Sequence, residues 1–339
     1  MALSQSEKNQ QLLSLTLEER SPGYQDLVSN NNALLRTLKR KGLWKSFSGP
    51  IIRERLLYNK NGGTIWYNGY DFLNPSPVEL FNDAEYRPKM AATPIVLSNE
   101  EILLNEGENQ LMDIVEAYLE AAENELKDEV DISIHGNGTR FGGKELTGLQ
   151  AAVPTVTNSG VYAGISRVDN PAWRTSSFDA NSAFPTIGTQ VTKDTIRPML
   201  NAIMTQRQRG TRAADLLLMD SLHYAAFEAS LVAQQRIMNE TGLGKAGFSS
   251  LQFIGAGRTA EIVMDGGIGS NMPANTTYGL DTDSLRVRYH PARNFSKLAR
   301  EFLTPINQDA KVNYIGFMGE LTMVNPLFTW KLFDSNPSA

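Results

Sequence analysis

At 339 residues and 41% hydrophobic side chains, the chain holds enough apolar mass for one large domain or two lobes. Its 32 Lys and Arg against 37 Asp and Glu leave a net charge of -5, which argues against a surface that grips nucleic acid throughout. Cysteine is absent, so a disulfide framework and a thiolate metal site are both excluded.

The opening "MALSQSEKNQQLLSLTLEER" lacks the charged-then-apolar layout of a signal peptide, and no apolar run reaches the ~20 residues of a membrane helix. A soluble chain made without export is expected. Leu27, Leu34, Leu35 and Leu38 give a weak stripe to a helix near Tyr24–Lys41, which ends in the basic cluster Arg36, Lys39, Arg40, Lys41 and Lys45. "RERLLYNKNGGTIWYNGYDF" (53–72) then reads as a ribbon whose arms meet at the turn Lys60-Asn61-Gly62-Gly63. One face of its first arm carries Arg53, Arg55 and Leu57; the other carries Glu54, Leu56 and Tyr58. The second arm splits Trp66, Tyr70 and Phe72 from Ile65 and Tyr67. Neither face is cleanly apolar, and a lone hairpin is marginal in water, so something else has to cover it. A Pro-rich return follows, through Pro75, Pro77, Pro88 and Pro94.

Ser98-Asn99-Glu100-Glu101 has the pattern of a capping box. Past an interruption at Gly107, a long helix is predicted to about Glu129, its buried stripe drawn from Leu111, Val115, Tyr118, Ala122 and Leu126. Acids dominate the rest of this helix, including Glu116, Glu120 and Glu123, with Lys127 the sole base between Glu100 and Asp131. Two readings stay open: a solvated face, or electrostatic docking of the basic segment 36–55. "DISIHGNGT" (131–139) reads as a short strand and a Gly turn, and 140–190 as loops with short strands. A helix near Lys193–Arg209 precedes "ADLLLMD", a strand buried on both faces, after which Ser221 can cap a helix carrying Tyr224, Phe227 and Leu231. "LQFIG", "AEIVMD", "SLRVRYH" and the closing "KVNYIGFMGELTMVNPLFTWKLF" supply further strands. With no internal repeat and no βαβ rhythm, the class is α+β.

Chemistry is hard to find. His135, His223 and His290 lack metal-binding spacing and read as surface or hydrogen-bonded histidines. "GAGRTAE" (255–261) lacks the features of a phosphate loop, "DGGIGSN" (265–271) reads as a plain loop, and no nucleophile elbow exists. Trp66, Trp173 and Trp330 fit packing better than base stacking, and Glu116 with Glu120 find no matching partner for a paired-carboxylate site. No catalytic, cofactor or metal residue is assigned.

The ordered pieces from about residue 45 to 337 resemble the major capsid proteins of tailed bacteriophages. The ribbon is similar to that family's extended loop, and "SNEEILLNEG" with its helix and "HGNGT" to the spine helix and closing turn. "GISRVDNPAWRT" (164–175) is similar to a stretch frequent in one branch, and "DLLLMD" and "QDAKVNYIGFMGELTMVNPLF" to axial and peripheral strands. The resemblance implies an N-arm (1–45), an extended loop (46–80), a peripheral domain (81–210) with spine helix 99–129, an axial domain (211–305) and a C-terminal return (306–339). It implies a non-enzymatic virion protein, assembled in the host cytoplasm as pentamers and hexamers of an icosahedral shell around double-stranded DNA held non-specifically. Arg53, Arg55, Tyr58, Trp66, Tyr67, Tyr70, Glu116, Glu120 and Glu123 are then the candidate contacts between subunits. The short N-arm implies a separate scaffolding protein, alongside a portal and a cementing protein, with no cofactor and no membrane. Lys60 sits where some relatives carry a cross-linking lysine, but no matching Asn or Glu is found, so non-covalent assembly is expected. The rivals are a hydrolase-like α+β enzyme with an acidic site and another kind of virion protein.

Overall fold

The computed structural model describes residues 33–57, 64–72, 81–104, 114–231, 251–267, 270–299, 302–305 and 308–337. Its described residues fall into two units, a smaller one from 90–130 and 290–318 and a larger one from the remainder.

In chain order the strands are β1 (Trp44–Ser46), β2 (Ile52–Leu57), β3 (Phe81–Tyr86), β4 (Lys89–Ser98), β5 (Val161–Tyr162), β6 (Ile165–Ser166), β7 (Ser176–Asp179), β8 (Leu216–Met219), β9 (Leu251–Gly255), β10 (Arg258–Met264), β11 (Thr276–Leu280), β12 (Leu285–Lys297), β13 (Ala310–Met323) and β14 (Trp330–Phe333). The larger unit is organised on a six-stranded sheet in the order β7-β14-β11-β8-β10-β9. β8 lies inside it, parallel to β10 and antiparallel to β11, which is why Leu216–Met219 is a continuous apolar run with every residue buried. The helices Ile196–Gln206 and Ser221–Ser230 cover the sheet, and Met199, Leu200, Ile203 and Phe227 form one core with Leu217, Met219, Trp330 and Leu332.

Gly279 of β11 sits against the Trp330 indole so closely that a Cβ would fall 2.1 Å from Cε2, so this position admits glycine only. "GAGRTAE" opens with a hairpin turn: Ala256 (φ 50°) and Gly257 (φ 71°) link the paired Gly255 and Arg258, which gives the two positive φ angles of a type I′ turn. "GISRVDNPAWRT" is also structural. β5 and β6 pair across Ala163 and Gly164, the Trp173 indole donates to the Tyr162 carbonyl at 3.0 Å, and Arg167 donates to the carbonyls of Ala151 and Ala152 at 2.8 Å.

In the smaller unit, Ser98 caps the helix Asn99–Leu104. Its hydroxyl accepts from Glu100 N and the Glu101 carboxylate accepts from Ser98 N, both at 3.2 Å, completing the expected box. Phe295 stacks on Phe317 at 5.0 Å.

Several expectations are corrected. The long helix is Ile114–His135, so "DISIH" is its last turn rather than a strand. Buried Ala122, Leu126, Val130 and Ile134 continue one i,i+4 stripe, and that period outweighs the β-branched composition. The later helix starts at Ser221 with Asp220 in the N-cap position, and the Asp220 carboxylate accepts from Asn275 N at 2.9 Å. The first helix is Ala33–Arg40 within the described residues; its proposed start at Tyr24 lies outside them, as does Gly107. The ribbon differs most. β2 pairs with β3, from Ile52↔Tyr86 to Leu57↔Phe81, and residues 64–72 form no strand.

Candidate assembly surface

The β2–β3 pair is covered by its own chain. Ile52, Glu54 and Leu56 point inward from β2 while Arg53 and Arg55 are exposed, and Ala84 and Tyr86 are buried from β3. Glu54 is tolerated inside because Arg288 donates to it from Nε at 3.0 Å and Nη2 at 2.5 Å. The Tyr86 hydroxyl donates to the Met323 carbonyl at 2.8 Å. The expectation that this arm lacks an intrachain cover is therefore corrected: pairing with β3 turns its Leu56 face inward.

The other arm is different. Asn68 and Asp71 close a tight turn, with Asp71 N donating to the Asn68 carbonyl and Asn68 N to Asp71 Oδ2, both at 2.8 Å. Around it Trp66 and Tyr70 are 101% exposed, Phe72 97% and Tyr67 64%. Moving such a ring out of water is worth about 2–3 kcal/mol, so this segment is a strong candidate for a protein contact. Sequence reasoning singled out Trp66, Tyr67 and Tyr70 but not Phe72, although all sit in the same aromatic run. Tyr58 and Lys60 lie outside the described residues.

The charged candidates divide. Glu120 is exposed and Glu123 pairs with Lys127 at 2.8 Å, while the Glu116 side chain lies outside the described residues. In the basic segment Arg40 meets Glu261 at 2.5 Å, Lys41 meets Asp215 at 2.8 Å and Arg53 meets Glu85 at 2.8 Å. Much of that positive charge is thus already engaged with acids of its own unit. Sequence reasoning also missed β4. Its exposed positions Met90, Ala92, Pro94 and Val96 are all apolar, on an edge strand whose Ile95 and Leu97 are buried. A short-period alternation of apolar with apolar residues was the available signal.

Enzyme-like features resolve into packing. Trp173 and Trp330 are buried, so neither can stack on a base. His223 is buried with Nδ1 at 2.8 Å from Thr277 Oγ1, and burial pushes it down to about 4. Glu320 is buried in β13, where its carboxylate accepts from Thr147 N at 2.7 Å and Leu321 N at 3.2 Å; burial raises it to about 8. Among the described residues no group of three His, Asp or Glu could hold a metal ion, and no helix is long and apolar enough to cross a membrane.

In its α+β architecture, with the six-stranded sheet and the long helix, the chain has the fold of solved phage capsid structures over nearly its whole length. The chain superposes on the cyanophage A-1(L) capsid with a TM-score of 0.65 at 16% identity, covering 94% of this chain and 96% of that one. The capsid of a native GTA particle follows at 0.60 and 10% identity, covering 95% and 96%. The SrpI encapsulin complex of Synechococcus elongatus PCC 7942 gives 0.57 at 11% identity, covering 98% and 96%. No family model and no curated protein matches the sequence.

Proposed function

We propose that this chain is the major subunit of an icosahedral viral shell, assembling as pentamers and hexamers through heterologous contacts that close. One observation carries the reading: a shell-forming fold presents an aromatic segment, 64–72, whose rings its own chain leaves in water. A second copy laid under that segment would bury it, so apolar area strengthens the shell rather than the monomer. The solved structures named above are capsids and an encapsulin, which supports a structural rather than a catalytic role.

The finer assignments are part of the proposal: the N-arm, extended loop, peripheral and axial division; non-covalent assembly in the host cytoplasm; and a separate scaffolding protein, portal and cementing protein. The net charge of -5 suits an interior that encloses double-stranded DNA without gripping it.

Replacing 58–80 with a short Gly-Ser link tests the reading, because Leu57 and Phe81 already face each other across the ladder. The variant is expected to stay folded by circular dichroism and to yield no particles in negative-stain microscopy with scaffold, where the parent forms shells. Loss of the fold would place the excursion in the core and sink the proposal. Nuclease-resistant DNA in purified particles separates a genome container from a compartment for other cargo.

A further inference from the structure

A buried charge cluster closes the long helix, away from the exposed residues of the proposed assembly surface. His135, 1% exposed, is the last helical residue. Its Nδ1 lies 3.0 Å from the Asp131 carbonyl oxygen and its Nε2 3.1 Å from Asp265 Oδ2. The Asp131 carboxylate, one turn back, is 3.6 Å from Nδ1 and accepts from Asn271 Nδ2 at 3.0 Å. Both ring nitrogens therefore face oxygen acceptors. A neutral imidazole would turn one bare lone pair toward an oxygen, whereas the imidazolium satisfies both.

The surroundings leave little room for adjustment. Asp265 N donates to the Met219 carbonyl at 2.9 Å, and the Ser270 hydroxyl donates to the Asp265 carbonyl at 2.9 Å. A Cβ on Gly266 would fall 2.3 Å from Ser221 N, and one on Gly148 would fall 2.3–2.6 Å from the carbonyl oxygens of Ser133, Ile134 and Gly136. Nearby charges are engaged elsewhere: Glu145 with Arg140, at 3.6 Å, and Asp220 with Asn275 N. Among the described residues, Asp265 and Asp131 are the charges that raise His135.

We propose that His135 is a proton-operated latch, fastening the end of the long helix to the segment 265–267 and 270–272 while charged and releasing it when neutral. Removing the proton takes the positive charge away from the buried Asp265 carboxylate at 3.1 Å and leaves one ring nitrogen's lone pair against an oxygen, an arrangement that is strongly unfavourable. Burial alone would lower the histidine, but the hydrogen bond and charge of Asp265 and then the charge of Asp131 outweigh it and raise it from 6.5 to about 9. A raised folded value means the latch is fully closed below 6.5 and is lost as pH rises through 9.

Amide hydrogen exchange on the full chain, corrected for intrinsic rates between about pH 7 and 10, tests this in a Glu320→Gln background that removes the titration of the buried Glu320 carboxyl. Protection at 131–136 and 263–267 is expected to fall about tenfold per pH unit as the histidine deprotonates. Protection of the helix Ile196–Gln206 should stay level. His135→Gln should show low protection at these segments at every pH. Should that variant fail to fold, the imidazole resonance of His135 in the parent decides, with a midpoint well above 6.5 expected. Protection that is flat with pH in the parent, or a midpoint at or below 6.5, would overturn the latch.

Discussion

The six-stranded sheet and the arm 64–72 belong to the same unit and spend their aromatic residues in opposite ways. In the sheet, Trp330 and Tyr278 are 0% exposed and backbone glycine is shaved away to admit an indole. In the arm, Trp66 and Tyr70 stand wholly in water. Hydrophobicity alone therefore does not mark a core residue. The sheet's rings lie among apolar neighbours contributed by its own chain, whereas Trp66, Tyr70 and Phe72 of the arm are almost wholly exposed, so the first set decides folding and the second is free to decide association.

Breaking the sheet should have the largest effect. Gly279→Val places a side chain inside the Trp330 ring, and overpacking of this severity is expected to cost more than about 3 kcal/mol, read as loss of cooperative thermal unfolding. The mirror experiment, Trp66→Ser with Tyr70→Ser and Phe72→Ser, should leave the denaturation midpoint of the monomer within about 0.5 kcal/mol of the parent while abolishing shells. A monomer destabilised as much as by a core truncation would show that the arm packs in cis after all.

A third test is pH. Glu320 is raised to about 8, so its burial erodes stability as pH climbs from 4.5 toward 8; His135, raised to about 9, loses its contribution from 6.5 upward. Both act in the same direction, and stability should fall by on the order of 4 kcal/mol between pH 7 and 9.5, about one pH unit of it from Glu320 and about two from His135. Glu320→Gln, which keeps the acceptor for Thr147 N, should flatten part of that slope in chemical denaturation; an unchanged slope would remove Glu320 from the account. Smallest of all, reversing Glu120 and Glu123 should shift monomer stability by about 0.5 kcal/mol or less, since Glu120 is exposed, Glu123 is half-buried and their charges are screened over ~10 Å at 0.1 M salt. Any effect on assembly should shrink as salt rises; a loss independent of salt would refute electrostatic docking of the acidic helix.

Much of the fold was legible where one period dominates, as in the fully apolar Leu216–Met219, the Ser98 box and the closing β13–β14 run. It was illegible where pairing is non-local. Nothing in residues 53–72 tells β2 to ignore the Asn-Gly turn beside it and pair with Phe81–Tyr86. The choice depends on Tyr86 reaching Met323 and Glu54 reaching Arg288, contacts more than two hundred positions away. The helix end failed for a related reason: Val130, Ile132 and Ile134 have the composition of a strand, and packing on one stripe overrode it. On the assembly surface, residue type showed the aromatic candidates, but only coordinates separated the base, closed in cis, from the arm.

On the proposed function, the rung Leu57↔Phe81 has a consequence for how shells of this chain would diversify. Because the chain leaves and returns through paired neighbours, whatever lies between them is an insertion with its ends already held together. Closing a longer excursion costs only about 0.6 kcal/mol for each doubling of its length. Reach toward a neighbour can therefore be lengthened, shortened or re-sequenced in one place while β2, β3 and the sheet stay as they are. On the proposed function, particle geometry and subunit stability would in this way fall under nearly separate control.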